Sequence, residues 1–435
     1  MSIKQLFDMR EFRGLAAVTL AGLALLCGAL VALNILQGPR VRSAAIDVKT
    51  AAVLANQRLQ LHTNQPVGRV TEKQVTITPS TPFRITAAGN TIVMQFTQPL
   101  RYDTKYQVRI ANGDKHFGYS FRTGQADLFY AVNEGNKGTI YRRQMNDAKA
   151  TAVFTGDKIG DFLIAGTTLV INTQQPSGNS TLLVKNVQEP DAPPTTIRLP
   201  RPGFVLGLRA SADRQSFGFR FTATNANGSI VGQLGLYNFM ERKLTWLNGA
   251  NGQPVSALDW QYGRDGKTLL VQTFDSSVFA VNAKGAWLPL GQFVEIGGFS
   301  HDGSSALVFD AKKGESSLDL TTIAVNSLPL PERDAMIAEA LPLRTQAGYL
   351  LQTDIMADEE AAQRIYIRRD KAAKALFSIT GNQGYVRGIA LSPNDQFAVV
   401  EKNKEDAGVF AYDIIDTFTG RKVESLDAAM VRWQQ

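Results

Sequence analysis

The sequence predicts an all-β fold: two β modules of unequal size behind a single N-terminal transmembrane helix. Three observations carry that reading. Residues 14–36, GLAAVTLAGLALLCGALVALNIL, hold no charged side chain. Residues 57–124 alternate apolar and polar positions between turn residues, the period of half-buried strands. From residue 125 onward a unit of apolar strand, polar turn and apolar strand recurs at intervals of about 40 to 50 residues.

The apolar run comes first in the chain. A bilayer core takes about 20 apolar residues in helix, and this run meets that with only Thr19, Cys27 and Asn34 as mild polar interruptions. Lys4, Arg10 and Arg13 precede it against Asp8 and Glu11, which favours a cytoplasmic N-terminus over residues 1–13, although Arg40, Arg42 and Lys49 follow closely and blur the bias. A cleaved signal would have a shorter apolar core and a small-x-small site, and a lipoprotein signal would need a small residue where Leu26 precedes Cys27. The expectation is an uncleaved, single-pass cell-membrane anchor at 14–36, a juxtamembrane linker at 37–56, and the bulk of the chain extracytoplasmic.

Composition narrows the rest. The chain has 435 residues, a formal charge of +7 and one cysteine, which lies inside the apolar run, so internal disulfides are excluded. Residues 41–124 carry eleven Lys and Arg against four Asp and Glu, whereas residues 125–435 carry thirty-one against thirty-three. The basic character belongs to the smaller module. Beside a bilayer that charge suits anionic lipid or an anionic wall polymer as partner; a solvated basic surface is the plainer reading. Nucleic acid is not expected, because no stacking-aromatic motif accompanies the charges.

In residues 57–124 the stretches QRLQLHT, QVTITP, FRIT, NTIVMQFT, YQVRIAN and YSFRT predict a β-sandwich of about seven short strands. Its core would be Val75, Ile77, Ile92, Met94, Phe96, Val108, Ile110 and Phe121. Pro66-Val67-Gly68, Phe96 to Leu100, Thr104, Tyr106 and Val108, then Ser120, Phe121 and Thr123 stand where a Pro-x-Gly opening, an x-F-x-x-P-L strand, a T-x-Y-x-V strand and a closing S-F-x-T would fall. In these residues the segment resembles the SbsA-type Ig-like domains of bacterial surface-layer and envelope proteins. The resemblance implies a spacer or adhesion module without catalytic residues.

Residues 125–435 repeat. The segments Gly203 to Asn225, Val255 to Asn282, Phe293 to Val325 and Gly384 to Ile414 align on one template, with weaker copies near Ile159 and Ile337. Four short strands per unit at this period predict a β-propeller, whose blades bury their faces only by stacking radially. The last apolar strand, Ala428 to Trp433, has no second strand after it, and the region opening at Ala126 has second and third strands without a first. Joining them makes one composite blade and a seven-bladed β-propeller. The pattern resembles WD-type and TolB-like propellers, although it lacks the Gly-His and Trp-Asp pairs of true WD repeats.

Catalytic motifs are scarce. There is no G-x-S-x-G, and Gly266-Lys267-Thr268 imitates the end of a phosphate loop with Gln261 at its first glycine position. His62, His116 and His301 are isolated, so no metal is expected from them. Asp265-Gly266 and Asp302-Gly303 read as hairpin turns. The acidic run Asp354, Asp358, Glu359 and Glu360 reads as a solvated loop, with calcium as the alternative. Trp246, Trp260, Trp287 and Trp433 read as blade packing, with a carbohydrate platform as the alternative. The sequence therefore names no catalytic, cofactor-binding or metal-binding residue. The functional expectation is a non-enzymatic, membrane-anchored scaffold of the bacterial cell envelope. Its propeller would bind protein partners within a transport or wall-assembly complex. Adhesion to envelope polysaccharide, or a propeller lyase or glycosidase using channel carboxylates, stand as alternatives.

Overall fold

The computed structural model describes all residues except 1–13, 15, 32–37, 114, 226–227, 250, 333–334, 356–361, 370–371, 381–383, 404–409 and 435. The chain divides into two compact units, Met1–Thr123 and Gly124–Gln435.

The expected membrane anchor does not survive the structure. Among the described residues no helix is long and apolar enough to cross a membrane. The expected span ran to residue 36, but 32–36 and the predicted cytoplasmic segment 1–13 lie outside the described residues. The single-pass anchor and the extracytoplasmic placement drawn from it are therefore corrected.

The rest of the first unit is a two-sheet sandwich. Its strands are β1 (Val41–Ala45), β2 (Gln57–Thr63), β3 (Val75–Thr78), β4 (Phe83–Ala88), β5 (Thr91–Phe96), β6 (Lys105–Asn112) and β7 (Lys115–Arg122). They form one sheet in the order β1-β2-β5-β4 and a second in the order β3-β6-β7. The alternation set this arrangement: all eight residues expected in the core are buried, and both sheets contribute to one cluster with Leu59, Leu61 and Tyr106. Residues 37–56, expected as a linker, instead supply β1, which pairs with β2, and a 3-10 turn at Thr50–Ala52 whose Ala51 and Ala52 are buried.

The second unit is a β-propeller. It contains five four-stranded antiparallel sheets and one seven-stranded sheet. The seven-stranded sheet divides at its long strand Thr151–Ala165: residues 151–157 pair with Lys137–Gln144, and residues 158–165 pair with Thr168–Gln174. That one strand is thus the outermost of one blade and the innermost of the next, which gives seven sets of four strands. The ring closes as the sequence suggested. Met430–Trp433 pairs antiparallel with Asp127–Glu134, Met430 opposite Ala131 and Trp433 opposite Leu128.

We number the blades from this composite one, so that blade 2 covers residues 158–197, blade 3 204–246, blade 4 257–292, blade 5 295–327, blade 6 335–380 and blade 7 385–428. Each blade begins at the axis, and the first strands of neighbouring blades pack on one another. A parallel bridge from Ile164 to Gln434 shows that adjacent inner strands run in one direction. The starts of the inner strands consequently gather on one face of the disc and their ends on the other. Burial follows this plan: the central strands of the blades are apolar on both sides, as in Leu269–Thr273 and Phe397–Asn403.

Candidate functional site

Inner strands carry an irregularity that decides which side chains reach the axis. Register shifts occur at Ile159/Asp161, Leu206/Arg209, Ala257/Asp259, Ile337/Glu339 and Val386/Gly388. A bulge inserts one residue and re-aims the side chains beyond it, so a charged group can face the axis inside an otherwise apolar strand. Asp161 shows the consequence. Its carboxylate accepts the Leu208 N–H of blade 3 at 3.2 Å and pairs with Arg432 of blade 1 at 3.1 Å. One carboxylate therefore links three blades.

At the ends of the inner strands lies a cavity of about 300 Å³ to which all seven blades contribute. Its charged lining is Arg209, Arg264, Arg344 and Arg432, and no carboxylate is among the residues that line it. Arg209 pairs with Asp259 at 2.7 Å and lies over the Trp260 ring. Arg264 donates to the carbonyls of Ser300 at 3.1 Å and Phe299 at 3.0 Å in blade 5. Burial, reinforced by the neighbouring Arg344 charge and opposed by Asp395, pulls Arg264 down to about 10. Arg264 and Arg344 occupy equivalent places, each two residues beyond its inner strand.

The opposite face has other chemistry. Glu295, Glu315, Glu339 and Glu401 stand near one another there. Burial, with the charges of Glu295 and Glu339, pushes Glu315 up to about 7. Burial likewise raises Glu339 to about 7, helped by Glu295 and Glu401 and opposed by a hydrogen bond from the Ile389 N–H. Arg387 partly offsets them through Glu401 at 3.6 Å. Around these carboxyls, five successive blades leave large apolar side chains in solvent: Phe204, Leu206, Phe274, Val294, Met336 and Tyr385, between 47% and 59% exposed.

The residues singled out from sequence fall elsewhere. Gly266-Lys267-Thr268 forms a hairpin turn with Gly266 at φ +70°, and the Asp265 carboxylate accepts the N–H groups of Lys267 and Thr268. Asp302 does the same for Ser304, and with the Ser300 hydroxyl donating to it, its carboxyl is lowered to about 2. His62 hydrogen-bonds Thr91, and no group of metal-ligating side chains is found among the described residues. Asp354 accepts from Gln363, while Asp358, Glu359 and Glu360 lie outside the described residues. Trp260 is fully buried beside Gly218 of blade 3, Trp433 stacks on Phe397, and Trp246 packs on Phe219.

Neither mouth of the channel was named from sequence. The signal was present but scattered: Arg264 and Arg344 stand at the same count from the bulges of their inner strands, yet lie 80 residues apart in the chain.

No protein-family model and no curated protein matches the chain, so the SbsA-type resemblance gains no support there. Solved structures do match. A prolyl endopeptidase aligns with TM-score 0.50 at 12% identity over 77% of this chain and 50% of its own. Porphyromonas gingivalis dipeptidyl peptidase 4 aligns with TM-score 0.44 at 11% identity over 70% and 59%. A protein from Lactobacillus plantarum aligns with TM-score 0.47 at 13% identity over 72% and 100%. This chain thus spans about half the length of the prolyl endopeptidase. At these identities the likeness shows the fold alone. It also corrects the expectation of a non-enzyme: a propeller of this form occurs in a peptidase, so the fold gives no ground for that exclusion, and activity is unsettled. What the chain shares with these structures is the β-propeller.

Proposed function

We propose that the propeller is a protein-binding module that engages its partner through the face where the inner strands begin. The observation that carries this reading is the ring of exposed apolar side chains, contributed by blades 3 to 7, around a group of crowded carboxyls. Large apolar side chains gathered on one face of a folded unit, rimmed by polar groups, mark an interaction surface. Covering Phe204, Phe274, Met336 and Tyr385 would remove apolar area from water at about 25 cal/mol per Å².

Charge complementarity defines the partner. Glu315 and Glu339 are raised to about 7 by burial and by neighbouring carboxylates, Glu295 and Glu339 for the first and Glu295 and Glu401 for the second, so an entering Lys or Arg relieves a repulsion already present. The partner is accordingly a polypeptide segment with a basic residue between apolar ones. Selection of peptides from a random displayed library on the purified chain tests this. Enriched segments should combine Lys or Arg with apolar residues, and Met336→Ser with Tyr385→Ser should abolish their binding. Acidic enriched segments, or binding untouched by the double substitution, would overturn the proposal.

A further inference from the structure

We infer that the arginine-lined cavity on the opposite face is a binding site for a small molecule bearing an oxyanion, a carboxylate or a phosphate. The geometry comes first. Four arginines from blades 1, 3, 4 and 6 line one cavity of about 300 Å³, whose lining residues include no Asp or Glu. The acidic groups nearby are behind the wall: Asp161 holds Arg432, Asp259 holds Arg209, and Asp395 accepts the backbone N–H groups of Arg344 and Thr345 from blade 7. They anchor the arginines without entering the space those arginines enclose.

Arginine suits this task because its planar fork carries five donors and matches the paired oxygens of a carboxylate or phosphate. Walls of low polarity focus the field of such charges into the space between them. Here the remaining wall includes Leu163, Leu208, Phe299, Leu341, Pro342 and Leu391. The depressed Arg264 is consistent with the same picture, since burial and a like neighbour both disfavour its charge and an entering oxyanion would oppose both. The volume lies at the lower end of small-molecule sites, which sets the size of the occupant. A compact molecule with one or two oxyanions on a short stem fits both the charge and the apolar remainder. Lys267, exposed in the neighbouring turn, is not part of the lining.

Titration calorimetry and thermal melting of the full chain, with inorganic phosphate and separately with succinate, test the site. The expected result is one site per chain for at least one probe. Binding should fall roughly tenfold or more in Arg344→Gln, the loss typical of a charged hydrogen-bonding partner. Gln261→Glu keeps every arginine and adds a carboxylate to the lining, so it should abolish binding even if Arg344→Gln folds poorly. Phosphate binding alone would assign a phosphate ligand, and succinate binding alone a carboxylate. Absence of heat and of a melting shift with both probes overturns the inference. So does binding that survives Gln261→Glu, or that falls equally in the surface control Lys267→Gln.

Discussion

Trp433 stacks on Phe397 with ring centroids 5.8 Å apart and 17° between planes, so the composite blade is clasped to blade 7 as well as to its own second strand. Both rings are almost fully buried. Trp433→Ala removes that packing at the seam and should cost about 3 to 5 kcal/mol, as for a large buried aromatic elsewhere. Thermal melting of the second unit is the measurement. An unchanged midpoint would mean that the last strand is not what holds the ring shut.

The seam was legible in the sequence for a simple reason. AAMVRW is an inner strand with no successor, and ADLFYAVNE begins a blade with no predecessor, so each lacked a partner that the other could supply. Period-two alternation likewise revealed the sandwich core, because one slip of register would turn every core side chain outward. The apolar run misled: composition counted 23 candidate positions, but among the described residues no helix is long and apolar enough to cross a membrane. Segment 37–56 misled in the other direction. VRSAA has little alternation, and pairing with β2 rather than its own pattern makes it a strand. The axial residues stayed hidden because they come from seven blades far apart in the sequence, and only closure of the ring gathers them around one cavity.

Asp395, in the turn that precedes Phe397–Asn403, holds two blades together. Its buried carboxylate accepts the Arg344 N–H at 2.8 Å and the Thr345 N–H and hydroxyl at 2.7 Å each. Asp395→Ala strands those donors in a dry seam between blades 6 and 7. The expected loss is about 2 to 4 kcal/mol, read by chemical denaturation. Asp302→Ala, whose carboxylate serves only its own exposed turn, should lose well under half as much.

Gly218 faces the indole of Trp260 across the boundary of blades 3 and 4. A β-carbon there would lie 2.6 Å from the far edge of the indole and 2.9 Å from Leu236. Gly218→Ala therefore overpacks a filled seam, at about 1 to 3 kcal/mol. Gly285→Ala is a useful contrast: it meets no atom, and its cost comes only from φ +78°. A melt in which Gly218→Ala matches the wild type would show that the seam has room the packing does not reveal.

The carboxyls of Glu315 and Glu339 make stability depend on pH in a definite direction. Both titrate near 7 in the folded chain and near 4.5 when unfolded, so between those values the folded state holds more protons. Stability is then fully present below about 4.5 and declines as pH rises toward 7. Both side chains keep some solvent access, so each contributes on the order of 1 kcal/mol, well below the unscreened value. Glu339→Gln should flatten that part of the profile and leave the variant more stable than wild type at pH 8. Melting curves of both proteins across pH 4.5 to 8 provide the check. A wild-type profile that rises over this range, or a Glu339→Gln variant less stable at pH 8, would show that burial and neighbouring carboxylates do not raise Glu315 and Glu339 as described. A basic partner would then have no buried repulsion to relieve, and its electrostatic basis would be lost.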